Sequence, residues 1–319
     1  MLPRRTGVSL LCRNLFDGGH VLVCMSKPES QKEAVPVVEQ VAELAMHLSG
    51  PHLADYGATT SRHDFTQRQL MSCLILRAYL KTTYRGLLEV LSGNGRLRAC
   101  LGLQAKLPHY TTLQKFSARS QVLAIVQAII ARIGRAAVAK DGGQQAAAMD
   151  STGLATSTAS AYFESRRGKR ARKYIKFSTI VLCGSLLPMA MVLDQGPSND
   201  VVQAQPLLRQ AQAVGQPRQL LADAAYDAEW VHGQCREVWG VESIIRPAHP
   251  PRADGTRGGR WRAQMSEKHM QERGYGRRWG VETFFSAFKR TMGGALSARQ
   301  PTAQLTEAAI RVLAYVLRR

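Results

Sequence analysis

The sequence predicts a helical N-terminal region followed by an α/β domain with a sheet of mixed direction. Residues 36–48 and 66–133 carry apolar side chains three and four positions apart, which is the period of amphipathic helices. From about residue 145, short apolar runs of strand length alternate with helix-like segments. Such alternation is typical of α/β proteins whose strands are joined by crossover helices.

The composition indicates a folded and strongly basic protein. The chain has 319 residues, of which 45% are hydrophobic, so it can bury a core. Its formal net charge of +20 favours an anionic partner, and clustering of the basic residues favours nucleic acid over a membrane surface. No apolar run approaches the roughly 18 residues of a membrane span, so we expect no membrane partner. The six cysteines lack CxxC spacing, so we expect free thiols in a reducing cytoplasm.

The N-terminal part divides into an extension and a set of helices. Residues 1–35 are predicted to be a poorly ordered extension, and translation from Met25 is one hypothesis for it. Thr111 and Gln114 have the spacing of a capping box and predict the start of a helix. Two interpretations of the helices stay open. They form a bundle that supports the rest of the chain, or one of them binds DNA within a helix-turn-helix.

Five apolar runs predict the strands of the α/β domain. In chain order they are QAAAMD, YIKFSTIVLCG, PMAMVLDQG, RQLLAD and VESIIRP. The second and third are separated only by a short turn, which predicts a hairpin. Helix-like segments separate the later runs, so the sheet is expected to contain both antiparallel and parallel pairs.

Two basic stretches interrupt this domain, at residues 166–176 and within an Arg-rich loop at about 247–268. Charge runs are usually solvated faces, but here they favour contact with phosphates. Lys173 and Lys176 flank the start of the second strand and are candidate DNA contacts, although outward positions on an edge strand would look the same. Trp261 could stack on a displaced base, and packing is the favoured interpretation.

A segment near the C-terminus, GYGRRWGVETFFSAFKR, carries two patterns at once. On a helix over residues 275–289, one stripe holds Tyr275, Arg278, Glu282 and Lys289. A neighbouring face holds the apolar residues Val281, Phe284, Phe285, Phe288 and Met292. Taken alone, the polar stripe could be no more than an exposed Arg–Glu pair four residues apart.

Two aspartates close strand-like runs and extend this pattern. Asp150 ends QAAAMD and Asp223 ends RQLLAD, where turn chemistry alone would also explain an aspartate. If both converge with Glu282, the three carboxylates need a cation, and an all-oxygen set selects Mg²⁺ or Mn²⁺. Such a site suits phosphoryl chemistry. Asp227 is expected only to cap the helix that follows it.

These residues resemble the DDE transposases of bacterial insertion sequences. In a large group of that family the last catalytic helix carries Tyr, two residues, Arg, three residues, Glu, six residues and Lys, and this chain matches at all four positions. AMDSTG and LADAAYD resemble the motifs of the two catalytic aspartates. The resemblance extends over about residues 60–318, including YRGLLEVLSGN and LPHYTTLQKF.

The resemblance implies a fold, a cofactor and an activity. The expected fold is a ribonuclease-H-like mixed sheet flanked by helices, with a helical N-terminal domain at 36–140 and a catalytic domain at 141–319. Two Mg²⁺ or Mn²⁺ ions would be held by Asp150, Asp223 and Glu282. The remaining residues of the polar stripe would contact phosphates near the cleaved element end.

The implied reaction is hydrolysis at the element end to free a 3′-OH, followed by attack of that hydroxyl on target DNA. The implied partners are double-stranded DNA, as terminal inverted repeats and as target, and a second copy of the chain in a synaptic homodimer. Two alternatives remain at this stage. One is a nuclease of the same fold, and the other is a catalytically inactive DNA-binding remnant of a transposase.

Overall fold

The structure is a computed structural model. It describes residues 35–60, 62–156, 174–251 and 258–319. The predicted N-terminal extension therefore lies almost wholly outside the described residues. The described chain divides into two compact units. One contains the residues up to Arg119 together with Ile310–Arg319, and the other is Ser120–Ala309.

The first unit is helical, as its apolar periodicity predicts. Its helices are α1 (Val37–Ser49), α2 (Gln67–Tyr79), α3 (Tyr84–Gly93), α4 (Gly95–Cys100) and α5 (Tyr110–Ser117). Helix α1 packs against α2 and α4, and α2 packs against α3 and α5. A capping box opens α2, in which the Thr66 hydroxyl accepts from the Gln69 N–H and the Gln69 side chain accepts from the Thr66 N–H.

The capping box predicted at Thr111 is wrong. Helix α5 begins at Tyr110, two residues before the start that a cap at Thr111 would give, so Thr111 lies inside the first turn. The Thr111 hydroxyl instead bonds Nδ1 of His109, at 2.8 Å, and the N-terminus of α5 has no side-chain cap. Capping needs an extended residue before the helix, and His109 takes that position here.

The second unit begins with a long apolar helix, α6 (Gln121–Asp141). By length and composition this helix could cross a membrane, whereas the sequence analysis found no apolar run of that length. It packs against a strand of this unit, and Gln127 donates to the carbonyl of Met191 on that strand. Half of its apolar stretch is buried in this way, as in the core helix of a globular unit. The predicted domain boundary after residue 140 assigns α6 to the helical domain, whereas the helix packs with the sheet.

A five-stranded mixed sheet forms the centre of the second unit. Its strands are β1 (Ala146–Ala155), β2 (Tyr174–Leu182), β3 (Pro188–Gly196), β4 (Gln219–Ala222) and β5 (Glu242–Ile245). The order across the sheet is β3-β2-β1-β4-β5. Strands β1, β2 and β3 pair antiparallel, which confirms the hairpin, while β1, β4 and β5 pair parallel.

Helices connect and flank this sheet. They are α7 (Asp200–Gln212), α8 (Glu229–Gly233), α9 (Glu267–Glu272) and α10 (Trp279–Met292). The chain continues into α11 (Pro301–Arg318), which belongs to the first unit from Ile310 onward. Helix α7 packs against β2 and β3, and α10 packs against β1 and β2. The predicted ribonuclease-H-like α/β arrangement, a mixed sheet flanked by helices with a helical N-terminal region, is confirmed.

An aromatic cluster anchors α10 on the sheet. The fully buried ring of Phe177 on β2 makes edge contacts with Phe284, Phe285 and Phe288, at centroid distances of 6.3, 5.4 and 5.7 Å. Neighbouring residues in a strand point to opposite faces. Lys176 therefore points to the face opposite α10, where it meets Asp200 at the start of α7.

We predict that Phe177→Ala lowers the free energy of unfolding by about 3–5 kcal/mol, because it empties the centre of this cluster. Urea unfolding followed by circular dichroism measures the change. The control is Val202→Ala on α7, which removes an exposed side chain and should change stability by less than about 0.5 kcal/mol. Equal losses in the two variants would contradict the assignment of Phe177 as the anchor of α10.

Candidate active site

Two aspartates lie side by side where β1 and β4 stop pairing. The parallel ladder between these strands ends at Met149 opposite Ala222, so the next residues are Asp150 and Asp223. The prediction that the first strand ends at Asp150 is wrong, because β1 continues to Ala155 by pairing with β2. Asp223 does directly follow its strand. Asp150 is thus held by an antiparallel neighbour, while Asp223 stands at the start of a turn.

Glu282 enters the site from the first turn of α10. The expected single α-helix from residue 275 is wrong, because Tyr275–Arg278 forms a 3-10 turn and the α-helix begins at Trp279. Gly274, with φ of 67°, makes the sharp bend before this turn. The predicted apolar face is confirmed, and its buried residues are Val281, Phe284, Phe285, Phe288 and Met292.

Arg278 joins the carboxylates to one another. Its guanidinium donates to Oε1 of Glu282, and its Nη1 lies 3.7 Å from Oδ2 of Asp150. Its charge also acts on Asp223, whose pKa it lowers. The guanidinium thus contacts Glu282 and Asp150 and acts on Asp223 through its charge. Burial opposes the charged form of Arg278, but Tyr275, Glu282 and Asp150 outweigh it and raise the pKa of the guanidinium.

Burial and mutual repulsion work against ionisation of the two aspartates. Burial, with a contribution from the charge of Asp223, raises the pKa of Asp150 to about 6, although the Ser151 N–H and Arg278 act in the opposite direction. Burial also raises the pKa of Asp223, and the charge of Glu282 contributes to this increase. Charges inside a protein shift one another's pKa over several ångström without direct contact, so these shifts show that the carboxylates are electrostatically coupled. The three carboxylates therefore form one electrostatic site.

Backbone donors fix the orientation of the two aspartates. The Ser151 N–H donates to Oδ1 of Asp150 at 2.7 Å. The Ala225 N–H donates to Oδ1 of Asp223 at 3.0 Å, so this carboxylate also caps the 3-10 turn Ala224–Tyr226. In each case one carboxylate oxygen is held by the chain, and Oδ2 is directed elsewhere.

The other two residues of the polar stripe, Tyr275 and Lys289, are both partly exposed. The Tyr275 hydroxyl donates to the carbonyl of Ala222 at 3.1 Å, immediately before Asp223, and the Arg278 guanidinium lies 5.9 Å from its ring centroid. Lys289 lies in the last turn of α10 and is partly exposed, and burial lowers its pKa.

The two lysines proposed to contact DNA have different outcomes. Lys173 lies outside the described residues, as does most of the basic stretch 166–176. Lys176 is 3% exposed, and its ammonium pairs with Asp200 at 2.6 Å and donates to the carbonyl of Ser198. The ammonium of Lys176, which the sequence analysis proposed as a DNA contact, is therefore buried and bound to partners within the protein.

The capping role predicted for Asp227 is wrong. Helix α8 has no side-chain cap, and the Asp227 carboxylate receives both Nε and Nη2 of Arg262 at 2.7 Å. This pair ties the described part of the Arg-rich loop to the domain. In the same loop Trp261 stacks between Arg236 and Arg260 and donates to Glu237, in agreement with the packing interpretation.

The structure adds residues that the sequence analysis did not single out. The charge of Asp200 raises the pKa of both Asp150 and Asp223, so a fourth carboxylate lies near the site. Ser151 and Tyr226 hydrogen-bond to each other beside the aspartates. In the sequence, Asp200 is typical of a residue at the start of a helix, and its spacing from the other acidic residues does not indicate a shared site.

The donor set fits a hard divalent cation in its chemistry. Three carboxylates without His or Cys are the ligands preferred by Mg²⁺ and Mn²⁺. Across the described part of the chain, however, no three His, Cys, Asp or Glu side chains are close enough together to hold a metal. Arg278 lies between Asp150 and Glu282 in this arrangement, so a metal held by both carboxylates would require the guanidinium to move.

We predict that Asp150→Asn raises the free energy of unfolding of the metal-free protein at pH 7 by about 3 kcal/mol, since the pKa of Asp150 is raised from 3.8 to about 6 and each pKa unit corresponds to about 1.4 kcal/mol. Between the ordinary pKa of 3.8 and about 6, the folded protein retains a proton that the unfolded chain has lost. Stability therefore falls as the pH rises through this window, and the Asn variant avoids that loss.

Urea unfolding at pH 7 and pH 4 measures this difference, and the advantage of the variant should vanish at pH 4. Glu272→Gln, an exposed change of the same charge, is the control and should have little effect at either pH. A variant less stable than the wild type at pH 7 would mean that the protein stabilises the Asp150 charge.

Comparison with known proteins agrees with the geometry. No curated protein matches the chain significantly. The model of the family described as "Transposase DDE domain" matches residues 141–317. The match covers more than half of the chain and includes all five strands of the sheet and the three carboxylates. The chain therefore belongs to the DDE-domain transposase family.

Proposed function

We propose that the protein is an active transposase that cleaves insertion-sequence ends and transfers the freed 3′-OH into target DNA. The observation that carries this proposal is the contact of Arg278 with both Asp150 and Glu282, beside the ladder end at which Asp150 and Asp223 follow neighbouring strands. The family match supports a transposase in general. Cleavage and strand transfer are the finer statement that this site supports.

The acidic residues would hold two divalent ions, Mg²⁺ or Mn²⁺. When bound, these ions supply activation of the attacking oxygen and stabilisation of the leaving oxygen in an in-line displacement. Backbone donors already hold one oxygen of Asp150 and one of Asp223, which leaves the second oxygen of each for the ions. The same site would serve hydrolysis and strand transfer because only the nucleophile differs.

The basic members of the polar stripe would hold the DNA. Arg278 lies between two carboxylates, so a cation that replaces it frees a planar, bidentate donor for a phosphate. Lys289 projects from the same helix as Glu282 and carries a partly exposed ammonium. Tyr275 would contribute a hydroxyl beside Asp223. Lys173 remains a candidate contact, whereas Lys176 is assigned here to bracing Asp200.

The remaining parts of the proposal concern organisation. The catalytic domain would be residues 141–319 together with α6, which packs with its sheet. The other helices of residues 36–140 would either support this domain or bind the element ends. Pairing of two ends would require a homodimer in the synaptic complex. The reaction would take place in the bacterial cytoplasm, on nucleoid DNA.

The first test is cleavage of labelled DNA that carries the element's own ends, with a target plasmid, in Mg²⁺, Mn²⁺ or EDTA. We expect metal-dependent nicking and joining, and at least about a thousandfold slower cleavage by Glu282→Gln, because this group would act directly in the reaction. Glu267→Gln, the same change at an exposed position of α9, should cleave normally.

The outcomes of this assay separate the alternatives. Nicking without joining would indicate a nuclease of the same fold. Tight DNA binding without cleavage in either metal would indicate an inactive remnant and contradict the proposal.

The second test addresses the phosphate contacts. We predict that Lys289→Met weakens binding to an element-end duplex and lowers the magnitude of its log–log salt slope by about one, because one phosphate contact is lost. Fluorescence anisotropy between 50 and 200 mM salt, in Ca²⁺ to prevent cleavage, measures both quantities. The neighbouring Arg290→Met removes an equal charge from an exposed position and should preserve more of the affinity. Equal losses would mean that only overall charge matters.

A further inference from the structure

The separation of Asp150 and Asp223 is not determined by the sheet ladder alone. The last paired residues of β1 and β4 are Met149 and Ala222. Beyond them β1 continues along β2, while the other chain turns away into the 3-10 turn Ala224–Tyr226. The two aspartates therefore stand at the fork where the chains diverge, and other contacts must hold that fork.

A chain of three hydroxyls spans this fork. The Tyr226 hydroxyl and the Ser151 hydroxyl are 2.7 Å apart, and Ser151 is in turn 2.7 Å from the Ser178 hydroxyl on β2. Tyr226 and Ser178 are fully buried. A buried hydroxyl without a partner is destabilising, so this chain has a strong preference for the observed arrangement.

Each end of the Tyr226–Ser151 bond is tied to one aspartate. The Ser151 N–H donates to the carboxylate of Asp150, and the Tyr226 N–H donates to the carbonyl of Asp223 at 3.2 Å. Burial raises the pKa of the Tyr226 phenol well above its ordinary value, with further contributions from nearby acids, so the hydroxyl stays neutral. It can then act as a fixed hydrogen-bond partner beside charged carboxylates.

We propose that Tyr226 and Ser151 are positioning residues whose hydrogen bond sets the separation of Asp150 and Asp223, and with it the affinity for a divalent cation. This inference rests on the proposed function, because it assigns the two aspartates to metal binding. Neither hydroxyl is a catalytic residue, since each acts through the backbone and carboxylate of its neighbour. Ser178 completes the hydrogen bonding of Ser151 but lies on β2, outside the fork.

The test is binding of Mn²⁺ to the full chain, measured as free Mn²⁺ by electron paramagnetic resonance. We expect Tyr226→Phe and Ser151→Ala each to weaken Mn²⁺ binding about tenfold, the lower end of the range for groups that orient metal ligands. Both changes remove the same hydrogen bond, between Tyr226 and Ser151. The Mn²⁺ affinity of the double variant should therefore be little weaker than that of either single variant. Ser151→Thr keeps the hydroxyl and should retain the wild-type affinity.

Ser178→Ala is the matched control. It removes a buried hydroxyl from the same chain, so it should lower the melting temperature while leaving the Mn²⁺ affinity within about twofold, as the fork bond remains. DNA binding in EDTA should be unchanged in all the variants. A structural role alone would change melting temperatures without separating the Ser178 variant from the Ser151 variant in metal affinity.

Three results would overturn the inference. If the wild type binds Mn²⁺ and cleaves DNA, and both Tyr226→Phe and Ser151→Ala keep the wild-type Mn²⁺ affinity, the positioning role is overturned while the proposed function stands. An equal loss of Mn²⁺ affinity in Ser178→Ala would do the same. A wild-type protein that neither binds Mn²⁺ nor cuts its DNA ends would overturn the proposed function and this inference with it.

Discussion

The structure depends on holding three carboxylates together in a partly buried site. Asp150 and Asp223 are pushed toward their neutral forms by burial and by repulsion, and Arg278 is the cation that offsets both effects. Groups that oppose stability in this way are common at functional sites, where a charged ligand supplies the missing compensation. The unfavourable electrostatic energy of the buried carboxylates is thus the physical reason why a cation, and then a phosphate, would bind here.

Three different kinds of contact carry these groups to one place. The sheet brings Asp150 next to Asp223 through the parallel ladder that ends just before them. The Phe177 cluster holds α10 on β2, and so places Glu282 and Arg278 above the same ladder end. Hydrogen bonds to Oδ1 then orient each aspartate. Packing decides which elements meet, and polar contacts decide how their side chains face.

The basic residues serve two purposes that net charge does not distinguish. Lys176 and Arg262 form buried or half-buried pairs with acids, and each stabilises a partner that would otherwise be costly to bury. Lys289 and Arg290 belong to the last turn of α10 and remain accessible to solvent. Accessible cations of the second kind can contribute to DNA affinity through phosphate contacts, and hence to its dependence on salt.

The sequence by itself determined the features that arise from local periodicity. The apolar face of α10, the β2–β3 hairpin and the alternation of strands and helices all follow from side chains a few residues apart, whose spacing does not depend on the rest of the fold. It also indicated the acidic residues and their order along the chain.

Only the tertiary structure decided the partners of each charged group. It showed the continuation of β1 past Asp150, the burial of Lys176 against Asp200 and the bridging position of Arg278. The physical reason is that partners distant in sequence are brought together by packing of whole elements. Periodicity along one element shows which of its faces is apolar. It contains no information about which residues of other elements will pair with the charged side chains on its polar face.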